Sequence, residues 1–437
     1  MTKVTPFRMI GNVYFVGTVE ASSHLIDTGD GLILIDTGYE ENAETVVESM
    51  NALGFDIKDV KIILHSHGHY DHTGATAKIL TLVPSAKTYF SFRDIRYIEG
   101  FQPDFDIQDG DVIALGNTKI ECWFTPGHTE GSVSFFLDVV EDGQTYRAGM
   151  FGGSGVNQLK KDFMNSRQVP YLCRGLFFDS VERLLTRKVD VMIGNHSWQN
   201  HTLEKYEKMK DAKLNPFIDP LEWDAYLTRL HNSLQKVIET ECRTKFISYA
   251  RCAENTLTAL DESIEKGANG IQAEIYKAQD GAPVLSSGIK LEEFLKNVSD
   301  KPLSLSLALQ ADGLEKAVVD LLYAYGVEKK TIITSLALAR LQKVKEYAPY
   351  MHVGYSAECV DESVINSLLA VGVDEICPNA SIVTAEQVQK WHRMGFNVCV
   401  LGVTGEQEIK RLYDLCVDGM SVENPRVLRE YIATVNG

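Results

Sequence analysis

Apolar and turn-forming residues alternate in short runs over the first 210 residues of the chain. The runs NVYFVGTV (12–19) and LILIDTG (32–38) are rich in β-branched and aromatic residues, and DTGDG (27–31) lies between SSHLI and LILI as a hairpin turn would. The stretch ENAETVVESMNALGF (41–55) has the spacing of an amphipathic helix that ends at its glycine. Strand signals return up to VDVMIGNH (189–196), so the pattern predicts a strand-dominated α/β region.

From residue 244 onward the pattern changes to short apolar strands, each followed by a helical stretch. Strand–helix alternation implies parallel pairing, and eight such units favour a closed (β/α)8 barrel of the TIM type. The amphipathic stretch LEWDAYLTRLHNSLQKVIETE follows Pro216 and Pro220 and predicts a helical linker. We therefore predict a domain at 1–213, the linker at 214–243 and the barrel at 244–437. The eight strands are KFISY, GIQAEIY, LSLSLAL, TIITSL, MHVGY, DEICPN, NVCVLGV and DGMSV.

The amino-acid composition of the chain argues against several classes of binding partner. The net charge is −17, from 43 basic and 60 acidic residues, which argues against a nucleic acid or an anionic membrane surface. No apolar run approaches the roughly 18–20 residues of a membrane span, and the N-terminus lacks the unbroken apolar stretch of a signal peptide. The eight cysteines are scattered without a C-x-x-C pair, which favours reduced core thiols. These features predict a cytoplasmic protein with a small-molecule substrate and no nucleic-acid or membrane partner.

The segment LHSHGHYDHTG (64–74) contains four of the eleven histidines of the chain, directly after a predicted strand. His67 and His69 alternate along an extended segment, so their side chains point to the same side and can share one metal ion. Asp71 and His72 follow a turn and can bind a second ion nearby. A catalytic zinc ion takes nitrogen and carboxylate ligands, three of them from the protein, so each ion needs one further histidine.

Two histidines elsewhere can supply the missing ligands. His128 lies in the Pro-Gly turn of FTPGHTEGS, and His196 ends the strand in MIGNHSW. Both follow strands, and functional side chains of α/β proteins usually project from strand ends. We interpret His65 as a buried or supporting histidine rather than a ligand. His24 and His201 have no assignment from the sequence.

Residues 1 to about 210 resemble the metallo-β-lactamase superfamily. Four motifs carry the resemblance in the order of the family: LIDTG (34–38), H-x-H-x-D-H (67–72), TPGHT-x-GS (125–132) and His196. The resemblance implies an αβ/βα sandwich and two zinc ions per chain. It also implies their ligands, which are His67, His69 and His128 for the first ion and Asp71, His72 and His196 for the second.

One position departs from the pattern of several branches of this superfamily. Glyoxalase II and the phosphodiesterase and nuclease branches have an aspartate that bridges both metal ions after the glycine of a later strand. Here that strand is TYRAGMFGG, with Gly149 and Met150 at the position in question. A thioether cannot replace a bridging carboxylate for zinc. The third subclass of metallo-β-lactamases also lacks the bridge, and residues 11–38 resemble that subclass.

The resemblance implies a zinc-dependent hydrolase in which a metal-bound hydroxide attacks an amide, lactam or related acyl bond, with Asp71 as a ligand that orients the nucleophile. β-Lactam hydrolysis is the leading activity, and a zinc-dependent lactonase, thioesterase or phosphodiesterase for a cytoplasmic metabolite is the alternative. A scaffold protein with a vestigial site and an iron oxidoreductase are two further hypotheses. The complete set of six ligands argues against the scaffold, and the ligand types favour zinc over iron.

The barrel region resembles the glycerophosphodiester phosphodiesterases, most closely in ENTLTALDESIEKGANGIQAEI (254–275). The positions that would carry the chemistry of that family are altered. A-R-C (250–252) replaces its H-R-G, Q-A-E (272–274) replaces its E-x-D, and the serines 286, 287 and 306 replace a histidine and a glutamate. Acid–base cleavage of a phosphodiester needs those histidines. We therefore predict a non-catalytic barrel, with formation of a homo-oligomer among its candidate roles.

Overall fold

The computed structural model describes residues 2–251, 257–357 and 360–436. They divide into two compact units, the first of Met1–Val156 with Leu176–Ser233 and the second of Asn157–Gly175 with Leu234–Gly437. The segment Asn157–Gly175 therefore interrupts the first unit in sequence and belongs to the second. The predicted boundaries at residues 213 and 243 remain predictions.

The first unit contains two sheets within the described residues. The strands of one are β1 (Phe7–Ile10), β2 (Val13–Phe15), β3 (His24–Asp27), β4 (Leu32–Ile35), β5 (Val60–Leu64), β6 (Lys87–Phe90) and β7 (Phe105–Asp106). Those of the other are β8 (Val112–Leu115), β9 (Thr118–Phe124), β10 (Val133–Glu141), β11 (Gln144–Met150) and β12 (Val191–Ile193). The strands follow the order β1 to β7 in the first sheet and β12-β11-β10-β9-β8 in the second.

Helices cover the outer faces of this unit. Ile33 of β4 belongs to the core between the sheets, whereas its neighbour Leu34 packs in a separate cluster with Val46. Both faces of β4 are thus buried, which explains its continuous apolar run. On the second sheet, the ring of Phe136 lies 6.0 Å from that of Trp223. The helices wholly within the first unit are α1 (Asn42–Ala52), α2 (Tyr70–Thr73), α3 (Thr76–Leu82) and α6 (Thr202–Met209). Helix α4 (Lys161–Arg167) belongs to the second unit, and the residues of α5 (Leu172–Leu185) and α7 (Glu222–Thr244) are divided between the two units.

The second unit contains all eight strands that the sequence pattern predicts. The strands are β13 (Ile247–Arg251), β14 (Gly270–Lys277), β15 (Pro283–Leu285), β16 (Ser304–Leu309), β17 (Thr331–Ser335), β18 (Val353–Ala357), β19 (Glu375–Pro378), β20 (Asn397–Val403) and β21 (Gly419–Val422). Apart from β15, which pairs antiparallel with β14, the strands pair in parallel. Because β13 pairs with both β14 and β21, the eight parallel strands close into a barrel, consistent with the TIM type.

The helices of the barrel alternate with its strands, as the pattern predicts. They are α8 (Leu257–Glu265), α9 (Leu291–Val298), α10 (Glu315–Ala324), α11 (Leu338–Tyr347), α12 (Glu362–Val371), α13 (Ala385–Arg393), α14 (Glu406–Asp414) and α15 (Pro425–Asn436). Among the altered phosphodiesterase positions, Ser306 is buried and Gln272 accepts a hydrogen bond from Ser421 Oγ. Cys252 lies outside the described residues. The likeness of the barrel to glycerophosphodiester phosphodiesterases stays a prediction.

Two predictions from composition can be compared with the described residues. Their six cysteines are free thiols, and five of the six are buried. None of their helices is long and apolar enough to cross a membrane.

Candidate metal centre

The predicted ligands lie in three loops, each of which follows a strand of the first unit. The cluster from His65 to His72 follows β5, His128 lies in the connection from β9 to β10, and His196 follows β12. Strand β5 pairs in parallel with β4, so the segment after β4 that contains Asp36 reaches the same edge of the sheet. The sandwich thereby brings residues more than 120 positions apart in sequence to one place.

Six side chains form two groups with the spacing of metal ligands. In each group the ligand atoms lie within 4.8 Å of one another, and the groups are His67, His69 and His128, and Asp71, His72 and His196. Tetrahedral ligands held at 2.0–2.2 Å from a zinc ion lie about 3.3–3.6 Å apart. His69 Nδ1 is 3.1 Å from His128 Nε2, and Asp71 Oδ2 is 3.5 Å from His72 Nε2 and 3.6 Å from His196 Nε2.

The protein engages one ring nitrogen of four of these histidines and leaves the other directed into its group. His67 Nδ1 lies 3.1 Å from Ser66 Oγ, and His72 Nδ1 lies 2.8 Å from Asp36 Oδ2. His128 and His196 use Nδ1 toward the carbonyl oxygens of Gly155 and Glu20, at 2.8 and 3.0 Å. The Nε2 atoms of His67 and His72 are buried and have no hydrogen-bond partner among the described residues. A metal ion would satisfy them, so the residues present fit such an ion.

Burial keeps most of these rings neutral, which is the protonation state that binds a metal ion. It lowers the pKa of His128 to about 4 against the opposing effect of the hydrogen bond to Gly155, and it lowers the pKa of His67 well below its usual value. It also lowers the pKa of His196 to about 4.

In the second group, His72 is the exception, because its pKa is raised rather than lowered. Burial alone would lower the pKa of His72, but Asp71 and Asp36 outweigh it and raise the pKa to about 10. The two carboxylates therefore favour a positive charge at this position, which either a proton on His72 or a divalent cation supplies.

Asp36 organises the loop after β5, a role that the sequence analysis did not assign. Its carboxylate accepts hydrogen bonds from the backbone N and the Oγ of Ser66, at 2.8 and 2.6 Å, besides its contact with His72. The signal for this role was present, because Asp36 lies in the LIDTG motif that carried the family resemblance. Orienting carboxylates of this kind commonly hold the histidine ligands of metal ions.

Asp94 joins the loops that carry the first group, and the sequence analysis missed it. Its carboxylate accepts from the backbone N atoms of Gly68 and Gly131 at 2.9 and 2.7 Å, and from Thr129 Oγ1 at 2.6 Å. Burial raises its pKa to about 6, although these hydrogen bonds act in the opposite direction. The Asp94 carboxylate therefore binds two loops, the one that contains His67 and His69 and the one that contains His128.

The remaining histidines of the first unit lie outside the two groups. His65 is fully buried, with Nε2 at 3.3 Å from Thr76 Oγ1 and its ring against Phe90. His24 is buried as well, and His201 precedes α6 in a left-handed backbone conformation.

The strand end that carries a bridging aspartate in other branches has no room for one here. Met150 is buried in the core between the sheets. A Cβ atom added at Gly149 would lie 2.8 Å from Val189 Cγ2 and 3.2 Å from the ring of Phe136. The absence of a carboxylate at these two positions is therefore built into the packing of β11.

Comparison with known proteins agrees with this architecture. Residues 16–140 match the metallo-beta-lactamase superfamily. A hydroxyacylglutathione hydrolase of Francisella tularensis subsp. novicida is 28% identical over 192 residues, which span 39% of this chain and 74% of that protein. The subclass B3 metallo-β-lactamase BJP-1 of Bradyrhizobium japonicum is 26% identical with a TM-score of 0.50, over 55% of this chain and 95% of that one. The native FEZ-1 metallo-β-lactamase of Legionella gormanii is 27% identical with a TM-score of 0.51, over 55% of this chain and 97% of that one.

These similarities confirm the predicted enzyme class, because the matched proteins are metal-dependent hydrolases. The chain is an enzyme of that class. More particularly, its first unit carries a metallo-β-lactamase superfamily domain, for which the sandwich, the strand-end loops and the two ligand groups are the structural basis.

Proposed function

We propose that the first unit is a di-zinc hydrolase that opens an amide, lactam or related acyl bond, with β-lactam hydrolysis as its leading activity. One observation carries the proposal: two adjacent groups of three ligands, in which four histidines have one ring nitrogen held by the protein and the other directed into the group. Bound zinc would supply a Lewis acid for a carbonyl oxygen and a water molecule whose pKa is lowered to about 7.

The six proposed ligands and Asp36 each have a defined role in this proposal. His67, His69 and His128 hold the first ion. Asp71, together with His72 and His196, holds the second, and its carboxylate orients the attacking water. Asp36 keeps the proton on His72 Nδ1, so that Nε2 is the ligand atom.

Two observations support this choice of substrate, the packing of β11 and the similarity of this chain to solved metallo-β-lactamases. Subclass B3 metallo-β-lactamases share the sandwich over nearly their whole length. Neither Gly149 nor Met150 can supply the bridging aspartate of glyoxalase II and the phosphodiesterases, which disfavours those reactions. A thioesterase for an acyl-glutathione-like substrate is the second candidate, because a hydroxyacylglutathione hydrolase is among the relatives.

The test is turnover of a chromogenic cephalosporin by the zinc-loaded chain, with zinc per chain measured in the same sample. Asp71→Asn removes one ligand and should lower kcat/KM by at least about 100-fold, since even the supporting partners of a metal ligand cost 10–100-fold. Asp30→Asn makes the same chemical change in an exposed turn and should leave turnover unchanged. A chelator should abolish turnover, and added zinc should restore it.

The other outcomes discriminate between the candidates. Two bound zinc ions without cephalosporin turnover would reject β-lactam hydrolysis and move the assay to acyl-glutathione thioesters, lactones and phosphodiesters. Purified chain that binds no zinc at micromolar concentration would reject the di-zinc hydrolase itself.

A further inference from the structure

A network of buried polar side chains adjoins the metal centre within the first unit. Tyr226 Oη donates a hydrogen bond to Ser154 Oγ at 2.6 Å, and Gln199 Nε2 donates to the same oxygen at 2.8 Å. Gln199 Nε2 also donates to Asn195 Oδ1, and Asn195 Nδ2 donates to Gly152 O, both at 2.6 Å. None of the four side chains is more than 8% exposed.

Two members of this network adjoin proposed ligands, Ser154 through the next residue in the chain and Asn195 directly in sequence. Ser154 precedes Gly155, whose carbonyl oxygen accepts the hydrogen bond from His128 Nδ1. Asn195 directly precedes His196. The network therefore fixes the backbone beside one histidine of each group, and the hydrogen bond from Gln199 to Ser154 joins the two places.

The backbone near Ser154 contacts the ring of His128 so closely that displacement of one would displace the other. A Cβ atom added at Gly155 would lie 3.0 Å from His128 Cε1, and one added at Gly153 would lie 2.9 Å from His128 Cβ. These separations leave no free space to absorb a shift of the loop. A loop held less firmly would therefore change the position of the ligand.

Packing alone does not account for these polar groups. The same face of α7 buries the apolar side chains of Trp223, Leu227 and Leu230. A phenylalanine at position 226 would fill nearly the same volume, and burial of a hydroxyl or an amide costs free energy unless each is hydrogen-bonded. What the hydroxyl of Tyr226 adds is a bond of defined direction to Ser154.

We propose that Tyr226, Ser154 and Gln199 are positioning residues of the metal centre, whose hydrogen bonds set the place and orientation of His128 and His196. The inference rests on the proposed function, because it takes these two histidines as metal ligands. Supporting partners of metal ligands typically change metal affinity by about 10–100-fold.

Tyr226→Phe is the decisive variant, because it removes one hydroxyl and keeps the ring. Competition with a chromophoric chelator should show metal affinity weakened about tenfold or more. The visible spectrum of the cobalt-substituted full chain should change as well, since that spectrum reports ligand geometry. Tyr146→Phe is the matched control. It removes an exposed hydrogen bond of 2.7 Å from the tyrosine to Gln144 on β11, and it should behave as the wild type in both measurements.

Two further variants extend the test. Ser154→Ala removes the acceptor that Tyr226 and Gln199 share, so it should weaken metal binding at least as much as Tyr226→Phe. Gln199→Met keeps the length of the side chain and removes its hydrogen bonds to both Ser154 and Asn195. Thermal unfolding of each metal-free variant separates an effect on ligand position from an effect on folding. If the residues position the ligands, the variants should bind metal more weakly and yet unfold, when metal-free, at the same temperature as Tyr146→Phe.

The outcomes distinguish this inference from the proposed function. Wild-type metal affinity and a wild-type cobalt spectrum in Tyr226→Phe would overturn the inference and leave the di-zinc hydrolase standing. A wild-type chain that binds no metal ion would overturn both. Weakened affinity with an altered cobalt spectrum, absent from Tyr146→Phe, would establish the positioning role.

Discussion

Asp36 has both a backbone role and a role in the proposed metal centre. Its φ angle of 54° lies in the left-handed region, which few residues other than glycine, asparagine and aspartate adopt readily. Its carboxylate is buried and would be costly there without partners, but Ser66 and His72 fill its acceptor positions. The end of β4 is thereby tied to the loop after β5 and to the ring of one proposed ligand.

Asp36→Asn should weaken metal binding while preserving the turn. Asparagine tolerates the left-handed conformation, so the backbone geometry should be retained. The substitution removes the negative charge and one acceptor for His72 Nδ1. We expect at least about tenfold weaker binding of one metal ion, measured by equilibrium dialysis with elemental analysis. Asp142→Asn is the control, since Asp142 has a φ angle of 50° in an exposed turn between β10 and β11. Equal metal affinity in the two variants would contradict the role of Asp36.

Glu375 of β19 should make the stability of the second unit depend on pH. Burial raises its pKa from 4.5 to about 7; the hydrogen bond from Cys377 opposes the shift and nearby Asp418 adds to it. A group whose pKa is raised by folding stabilises the native state below its unfolded value, and this contribution is lost as the pH rises through the folded value. Stability should therefore fall between about pH 4.5 and 7 at roughly 1.4 kcal/mol per pH unit.

Glu375→Gln should remove this pH dependence, because the amide has a similar shape and does not ionise. The free energy of unfolding of the variant minus that of the wild type should rise from pH 5 to 7 and then level off. Urea unfolding of both proteins at a series of pH values measures this difference. A difference that stays constant with pH would show that the carboxyl group titrates normally in the folded chain.

At the scale of single residues, the proposed ligands could be predicted from the sequence, but few of the side chains and backbone groups that hydrogen-bond to their loops could be. Four of the ligands lie within six positions, and His128 lies in a distinctive Thr-Pro-Gly-His turn, so local patterns were sufficient. The partners of Asp94 include the backbone N atoms of Gly68 and Gly131, and a backbone donor leaves no mark in the sequence. Whether the six residues bind metal ions stays a prediction.

Strands and their connecting turns deliver the proposed ligands to one edge of the sandwich. The pattern of apolar residues was sufficient to predict these strands, because β4 and β5 are short and apolar, and all of their residues except Lys61 are buried. The segment Asn157–Gly175 was not predictable in this way. Its contacts in the second unit include those of Lys161 with Asp418 and Tyr171 with Asp374, each more than 200 positions away, and a pattern of neighbouring residues does not report such distances.

The turn between β9 and β10 should be sensitive to any side chain at Gly127. Its φ angle is 139°, and an added Cβ would lie 2.5 Å from the Cα of Phe177 in α5. Gly127→Ala should therefore destabilise the unit by several kcal/mol and weaken metal binding through His128. Gly143→Ala is the matched control, since Gly143 also has a positive φ angle but nothing within 4 Å of the added atom, and it should cost about 1 kcal/mol.

Urea unfolding and chelator competition on these two glycine variants measure both effects. Similar losses of stability in Gly127→Ala and Gly143→Ala would show that the contact with α5 relaxes and that only the backbone conformation matters.

At the scale of the whole molecule, the second unit is incomplete without Asn157–Gly175, the segment that interrupts the first unit in sequence. Lys161 Nζ lies 2.6 Å from Asp418 Oδ1, and both side chains are at most 6% exposed. Asp418 also accepts from the backbone N of Val398 and contacts His392 Nε2, both at 2.7 Å. A buried carboxylate with these partners is costly to leave unpaired, by about 3–5 kcal/mol. Residues 244–437 alone would carry that cost.

Removal of metal ions should destabilise the first unit without changing the second. A ligand that binds only the native state stabilises it by RT ln(1 + [L]/Kd), which is about 4 kcal/mol at a ligand concentration 1,000 times Kd. Calorimetry of the zinc-loaded chain should show two unfolding transitions, and a chelator should lower the temperature of one. Lys161→Met, which removes the lysine partner of the buried Asp418 carboxylate in the second unit, should lower the other and so identify it. A chelator that lowered both transitions equally would contradict this prediction. A shift confined to the transition unaffected by Lys161→Met would locate the bound metal in the sandwich.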